Sequence, residues 1–341
     1  MRRNAPKLLI TSILLAAAFL GTTSAKANKL ELTPANFIEC NTDGVDCRAH
    51  NVAWERFMSE YSFGISPKLL APSSTLGYSG FYLGIEASIA TIPSSGAKVF
   101  MPASKNYEDA RWRIGTGEYN QEPPAMLFPT IHVRKGLPWS LEVGSSISYL
   151  AQSELVALGG EVKWAPFEGY RKGFRGVLPD IAARGTVNRI LGESDVDMTI
   201  LGVDGSIGVP FGIGGMIALE PYAGYQYTWT FIRTEPMMIR TYDANYNVSA
   251  FHESEADSYD VSESGLTGPD LGRHKIYFGL NFRYEILSIT MDWTWGLPMD
   301  WTTKEGFDSN GNMLSDGAEF NDAKVHVDTQ FSFAFGAGLQ F

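Results

Sequence analysis

Residues 325–341, VHVDTQFSFAFGAGLQF, end the chain and decide its fold. Every odd position carries an apolar side chain or a threonine, whereas the even positions carry small or polar ones. Side chains that alternate in this way point to opposite faces of one β-strand. The run is longer than the ~9–11 residues that a tilted strand needs to cross a bilayer. We therefore expect a membrane-spanning strand with one face toward lipid and the other toward a lumen.

The same alternation recurs along the chain after Gly77. It predicts ten strands, at 78–92, 126–135, 139–150, 155–165, 180–191, 197–210, 215–231, 273–284, 287–296 and 325–341. The predicted fold class is all-β: a transmembrane, antiparallel up-and-down β-barrel that covers residues 77–341. Twelve strands are the alternative, because residues 235–251 could contain a further pair.

The lengths of the predicted connections favour an even number of strands. Three connections are much longer than the others, at 93–125, 232–272 and 297–324, and all three fall on the same end of the predicted barrel. Membrane barrels have short turns at one end and longer loops at the other. A miscounted strand would have mixed long and short connections at each end.

The first 27 residues have the three parts of a secretory signal peptide. A basic stretch at residues 2–7 precedes an apolar one at 8–21, and Ala-Lys-Ala at 25–27 offers a cleavage site between small residues. The apolar stretch is shorter than the ~20 residues of a spanning helix. We expect cleavage after Ala27 and export of the chain.

Residues 28–76 lack the alternation of a strand and contain both cysteines of the chain, Cys40 and Cys47. Two cysteines this close in an exported protein more often form a local disulfide than a metal site. His50 is the single nearby histidine, which makes a poor zinc motif. We predict a Cys40–Cys47 disulfide and no metal or other cofactor.

The same N-terminal segment contains a short amphipathic helix. Trp54, Phe57, Met58 and Tyr61 are spaced at i, i+3, i+4 and i+7, which places them on one helical face. Two interpretations remain open. The helix is a plug inside the barrel, or the segment is a periplasmic extension that packs across the lower mouth.

The formal net charge of −11 excludes nucleic acid as a partner class, because phosphate backbones bind basic surfaces. Acidic loops suit a lipopolysaccharide surface that is bridged by cations. We therefore expect membrane lipids and lipopolysaccharide as the surroundings of the barrel. The oligomeric state stays open.

The face of each strand that points away from lipid carries charges of both signs. The predicted lumen-facing charged residues are Glu86, Arg134, Glu142, Glu161, Lys163, Arg184, Asp204, Glu220, Lys275, Arg283, Asp292 and Asp328. A ten-stranded barrel is narrow, so opposite charges inside it can neutralise each other. A structural network of ion pairs and a selectivity filter are both compatible with this set.

A strand that ends the chain on an aromatic residue, here Phe341, resembles the assembly signal of Gram-negative outer-membrane β-barrels. The resemblance covers residues 77–341 and is to the superfamily. It implies insertion by the outer-membrane assembly machinery and a location in the cell outer membrane. The function that we expect first is a channel or passive transporter for small or amphipathic solutes, and the second is a structural or surface-binding barrel.

Two further hypotheses concern the outer loops. The omptin proteases are similar in strand number and loop length and use Asp and His groups at the outer rim, where His326 and Asp328 are expected here. This sequence has no second acidic couple at a matching position, so the hydrolase hypothesis ranks third. Residues 308–319 resemble a calcium-binding loop but carry Met313 where a glycine is required, which favours a solvated turn.

Overall fold

The computed structural model describes most of the chain. The described residues are 30–40, 47–68, 70–93, 107–116, 125–167, 179–193, 196–213, 216–234, 238–242, 248–253, 271–308, 312–314 and 319–341. The predicted signal peptide at 1–27 lies outside them, so its cleavage stays a prediction.

Strands dominate the described chain. In order they are β1 Ile38–Cys40, β2 Cys47–Ala49, β3 Phe81–Thr91, β4 Ala125–Leu137, β5 Leu141–Tyr149, β6 Val156–Trp164, β7 Asp180–Leu191, β8 Val196–Gly208, β9 Phe211–Ile213, β10 Ile217–Thr234, β11 Met238–Tyr242, β12 Val248–Glu253, β13 Leu271–Tyr284, β14 Leu287–Gly296, β15 Met299–Glu305, β16 Asn321–Val327 and β17 Gln330–Gln340. Within the described residues, two α-helices, α1 Asn51–Ile65 and α2 Tyr107–Gly115, and two short 3-10 helices, Pro34–Phe37 and Pro138–Ser140, accompany them. None of these helices is long and apolar enough to cross a membrane.

Ten of these strands form one closed antiparallel barrel, as the alternation predicts. The barrel strands are β3 to β8, β10, β13, β14 and β17, and each pairs with its neighbour along the chain. The pairing of β17 with β3, in which Phe335 lies opposite Ala87, closes the ring. The alternative of twelve strands is wrong, because β11 and β12 pair only with each other in a separate hairpin.

The two ends of the barrel differ in their connections. At one end β3 begins, β17 finishes, and neighbouring strands are joined by connections as short as Pro138–Ser140. We call this the turn end. The three long connections all leave from the opposite end, the loop end, which agrees with the predicted parity.

The outward face of the barrel is apolar, whereas the lumen face is mostly polar in the middle of the barrel and at the turn end. Ile85 and Val203 are each about half exposed, whereas their neighbours Glu86 and Asp204 are buried inside. Exposed aromatic rings, among them Trp139, lie at the turn end. A continuous apolar belt of this extent would be unstable in water, so it is the lipid-facing surface of a membrane barrel.

The prediction of one strand over 325–341 is wrong in its first part. Residues 325–327 belong to β16, which pairs with β15 beyond the barrel, and the barrel strand β17 starts at Gln330. Val325 and Val327 are fully buried against α1 and do not face lipid. The strand pairing changes at residues 328–329. The alternation of side chains continues across these residues, so the sequence pattern does not show the change.

Asp328 is therefore not a lumen-facing residue, contrary to the prediction. It lies between β16 and β17 at the loop end, where 59% of its side chain is exposed. Its carboxylate accepts a hydrogen bond from the guanidinium of Arg56 at 2.8 Å.

The largest apolar core lies at the loop end. In this core, α1, α2 and residues 30–38 pack against inward side chains on the halves of the barrel strands nearest the loop end. We call residues 30–40, 47–65, α2 and the β15–β16 hairpin the cap. The cap occupies the position at which an open barrel would have its outer mouth.

Candidate functional site: a lumen filled by the N-terminal segment

Helix α1 begins in the cap, beyond the loop end of the barrel strands, and its C-terminal end lies inside the lumen. At its first residue, the side-chain amide of Asn51 donates to the carbonyl of Lys304 in the β15–β16 hairpin at 2.7 Å. At its last residue, the carbonyl of Ile65 accepts from the amide of Asn188 on the lumen face of β7 at 3.2 Å. The helix thus descends from the cap into the lumen.

Residues 66–68 and 70–76, which we call the threaded segment, continue the descent to the turn end. Lys163 donates from Nζ to the carbonyl of Ser74 at 2.9 Å, and Ser74 donates from its backbone N–H to Glu220 at 3.0 Å. Two residues later, the backbone N–H of Leu76 donates to Glu142 at 2.9 Å. Glu142, Lys163 and Glu220 all lie near the turn end of their strands.

The N-terminal segment therefore passes through the whole lumen, and α1 lies at the loop end. An extension packed across the turn-end mouth does not describe this path. The sequence could not reveal it, because the segment Ser66-Pro67-Lys68 to Ser74 has no periodicity and its partners lie far along the chain.

A buried ion pair fastens the cap. The guanidinium of Arg111 in α2 donates two hydrogen bonds to the carboxylate of Glu60, at 2.9 and 2.8 Å. The indole N–H of Trp112 donates to the same carboxylate at 2.7 Å. All three side chains are buried. Bidentate, charge-assisted bonds of this kind are strong and fix orientation.

Apolar packing surrounds this ion pair. The four residues of the predicted helical face, Trp54, Phe57, Met58 and Tyr61, are fully buried, and Phe57 contacts Trp112 edge to face at 5.0 Å between ring centroids. Sequence reasoning did not identify Glu60, because it considered only the apolar face of α1. In the structure the helix is buried on all sides. The available signal was that Glu60 directly precedes Tyr61, a member of the apolar face.

A belt of ion pairs crosses the lumen wall below the cap. His132 contacts Glu86 at 2.9 Å and Glu161 at 3.2 Å. Arg184 contacts Glu161 at 3.3 Å and Asp204 at 3.0 Å. These residues come from five different strands, β3, β4, β6, β7 and β8. The belt therefore ties half of the barrel wall together inside.

A second group of charges lies toward the turn end. Glu142 contacts Lys163 at 3.0 Å and Arg134 at 3.3 Å, and the guanidinium of Arg134 lies 4.1 Å from the ring centroid of Tyr82. Here the predicted lumen charges bind both each other and the threaded segment.

The remaining predicted lumen residues have other surroundings. Asp292 is buried and accepts hydrogen bonds from Thr294 at 2.8 Å and Tyr222 at 3.4 Å. Lys275 is buried beside the threaded segment. Arg283 lies on the lumen side of its strand but at the exposed rim of the turn end.

A small cavity remains in the lumen. The centre of a water-sized sphere can occupy about 40 Å³ of it. A single water needs ≳10–15 Å³ on this measure, so the cavity holds a few small molecules at most. It lies between the threaded segment and the wall of β4 to β7. Its polar lining includes Ser66, Lys68, Ser146, Thr186 and Asn188.

The exposed β15–β16 hairpin carries a small acid–histidine group. The ring of His326 contacts Asp300 at 2.5 Å and Asp328 at 3.3 Å. The hydrogen bond to Asp300 is the main cause that raises the pKa of His326 above its usual value. While both carboxylates are ionised, the ion pairs are therefore complete below the usual pKa of histidine and weaken as pH rises through the raised pKa. Asp300 adds one acid to the predicted His326 and Asp328, which is not the second acidic couple that the sequence lacked, and all three groups face solvent.

The cysteines, the terminal residue and the calcium-like loop have these positions. Cys40 lies opposite Cys47 in the β1–β2 pair, a backbone spacing that suits a disulfide, which stays a prediction. Phe341 stacks on Phe81, with 5.8 Å between the ring centroids, and is exposed.

The side chain of Asp308 accepts a hydrogen bond from the backbone N–H of Asn312 at 2.8 Å, while much of 308–319 lies outside the described residues. Within the described part of the chain, no group of three or more His, Cys, Asp or Glu could hold a metal ion.

No protein-family model and no curated protein matches this chain. Several solved structures are similar to it in architecture. The outer membrane protein OprG of Pseudomonas aeruginosa aligns with a TM-score of 0.32 at 11% identity, covering 80% of this chain and 99% of OprG. Ail, the attachment invasion locus protein of Yersinia pestis, gives 0.25 at 7%, covering 77% and 99%. The translocator domain of the autotransporter NalP from Neisseria meningitidis gives 0.29 at 9%, covering 84% and 94%.

The fold is a closed, ten-stranded antiparallel β-barrel with an apolar, lipid-facing belt. Its lumen is occupied along its length by the protein's own N-terminal segment.

Proposed function

We propose that this protein is a plugged channel, a passive transporter for small or amphipathic solutes whose plug is its own N-terminal segment. The observation that carries the proposal is the lumen wall of β5 and β6, which is built from small residues. Gly144, Ser146, Ser148 and Gly159 face the lumen there. A barrel sealed by its own wall would need larger side chains. Here the threaded segment fills the space, so its movement would open a polar path.

The orientation of the barrel follows from its connections. In outer-membrane barrels the short turns face the periplasm and the long loops face the exterior. On this orientation the cap faces lipopolysaccharide, the apolar belt contacts membrane lipids, and the outer-membrane assembly machinery inserts the barrel. Leu30, which donates its backbone N–H to Gln152 at the loop end, would then lie on the cell surface.

This topology predicts surface labelling of the N-terminal segment. An epitope inserted between Asp43 and Gly44 should be reached by antibody on intact cells, because residues 40 and 47 belong to the cap. The same epitope placed within residues 168–178, in the longest turn-end connection, serves as the control and should require permeabilised cells. Labelling of both sites only after permeabilisation would contradict the proposed path.

Single-channel conductance in planar bilayers tests the channel itself. The full chain should conduct little, whereas a chain that lacks residues 28–76 should conduct strongly, because the threaded segment, α1 and the rest of the N-terminal part of the cap are gone. Heat-modifiable gel mobility would verify that the truncated barrel is folded. A correctly folded but silent truncated barrel would contradict the channel proposal.

A second candidate is a closed, surface-binding or structural barrel. It is favoured by the extent of the cap, whose buried aromatic core and Glu60–Arg111 ion pair seal the loop end. A rigid cap of this kind offers a stable surface to a partner. If neither the full chain nor the chain that lacks residues 28–76 conducts, the closed barrel becomes the better supported function.

A further inference from the structure

Three cationic groups surround one buried aromatic ring at the point where α1 meets the threaded segment. Lys68 Nζ lies 4.9 Å, Lys275 Nζ 5.3 Å and the Arg273 guanidinium carbon 5.4 Å from the ring centroid of Phe63. Lys275 and Arg273 are buried on the wall of β13, and Lys68 lines the lumen cavity. Like charges this close repel one another strongly in a poorly solvated lumen.

No carboxylate neutralises this cluster. Among the described residues, none of the three cations has a carboxylate oxygen within 4.0 Å. Lys68 donates to the carbonyl of Phe63 at 3.0 Å, Lys275 donates to the hydroxyl of Ser66, and Arg273 donates to the backbone carbonyl of Asp328 at 2.8 Å. Cation–π attraction is weaker than the cost of burying unpaired charges.

The nearby carboxylates are held by other groups. Glu60 is bound by Arg111, and the carboxylate of Asp328 is bound by Arg56. Asp292 attracts Lys68 only from beyond ion-pair distance and accepts its hydrogen bonds from hydroxyl groups. Among the described residues, no carboxylate therefore forms an ion pair with the cluster, although Glu60 and Asp328 lie near enough to attract Arg273.

Two unsatisfied hydrogen-bond donors border the same region. Gln226 lies directly opposite Lys275 in the β10–β13 pair and is buried, and its Nε2 has no partner among the described residues. Thr186, which lines the cavity, has an unpartnered hydroxyl. A Cβ on Gly202 would lie 2.4 Å from the Thr186 hydroxyl and 3.2 Å from the Gln226 nitrogen. The glycine thus lets both side chains pack against its backbone, where no room for a Cβ remains.

We propose that the lumen holds a binding site for one small monovalent anion, a halide or a carboxylate group, in the cavity that Lys68 and Thr186 line, beside Lys275. The cavity volume admits an anion of this size and excludes a large solute. This proposal rests on the proposed channel function and names a class of solute for it. Whether the anion is bound can be measured without measuring conduction.

The test is to purify and crystallise the full chain in sodium bromide and to locate bromide by its anomalous scattering. The expected result is a peak inside this cavity, within hydrogen-bond distance of Lys68 Nζ. Adding excess sodium acetate separates the two ligand sources, because a lost peak identifies a carboxylate site and a retained peak a halide site. The absence of any peak in the lumen would overturn the proposal, while leaving the conductance test untouched.

Variants establish which cations hold the anion. Lys68→Met and Lys275→Met should each lower the bromide occupancy by at least half, and either one is sufficient if the other does not fold. Lys135→Met is the matched control, because Lys135 is exposed near the turn end and donates to the carbonyl of Ser79. Equal occupancy in all three variants would also overturn the assignment.

Discussion

Replacement of Glu60 by alanine should release the cap and lower the free energy of its local unfolding by about 3–5 kcal/mol. The substitution leaves the buried guanidinium of Arg111 without its bidentate carboxylate and leaves the Trp112 indole N–H without its acceptor. Breaking one side of a buried pair costs more than the pair contributes, because the remaining charge stays desolvated. The measurement is hydrogen exchange of the amides in α1 and α2.

Asp322→Ala is the control for this variant. Asp322 pairs with Lys304 at 2.7 Å on the β15–β16 hairpin of the same cap, but both side chains are largely exposed. Solvent screens such exposed pairs, so they contribute little to stability. If Glu60→Ala changed exchange no more than Asp322→Ala, the buried pair would not be what fastens the cap. A parallel rise in conductance would connect cap opening to the channel.

The ten barrel strands were predictable because each of them follows one simple rule. A membrane barrel exposes one face of every strand to lipid and the other to the lumen, so the period of two survives in strands such as β7 and β8 without regard to their neighbours. The charges on the lumen face follow from the same parity. Glu86, Glu142 and Arg184 are therefore found inside the barrel, where the alternation puts them.

The content of the lumen was not predictable in the same way. The face formed by Trp54 and Phe57 identifies α1, but nothing in a helical period states which end of the barrel receives it. Contacts between residues about 250 positions apart, such as Val52 with Glu305, decide its place. The inward burial of Val325 and Val327 is a similar case, since a change of strand partner leaves no trace in an alternating pattern.

Arg184→Met should destabilise the barrel itself by about 3–5 kcal/mol. Arg184 joins Glu161 at 3.3 Å to Asp204 at 3.0 Å, and all three side chains are nearly excluded from solvent. Without the guanidinium, two carboxylates remain in one poorly solvated region with His132 and the Tyr277 hydroxyl as their remaining partners. The measurement is the urea midpoint of barrel unfolding in detergent micelles or lipid vesicles, followed by tryptophan fluorescence.

The same substitution on the same strand provides the control. Arg189 lies on β7 but pairs with Asp197 outside the lumen, at 2.5 Å, with 49% and 31% of the two side chains exposed. Arg189→Met should therefore change stability by no more than about 1 kcal/mol. The double variant Arg184→Met/Asp204→Leu should recover part of the loss, because it removes one of the two stranded carboxylates. If Arg184→Met matched Arg189→Met, the ion-pair belt would have no part in holding the barrel wall together, and its charges would be free to serve a path for solutes.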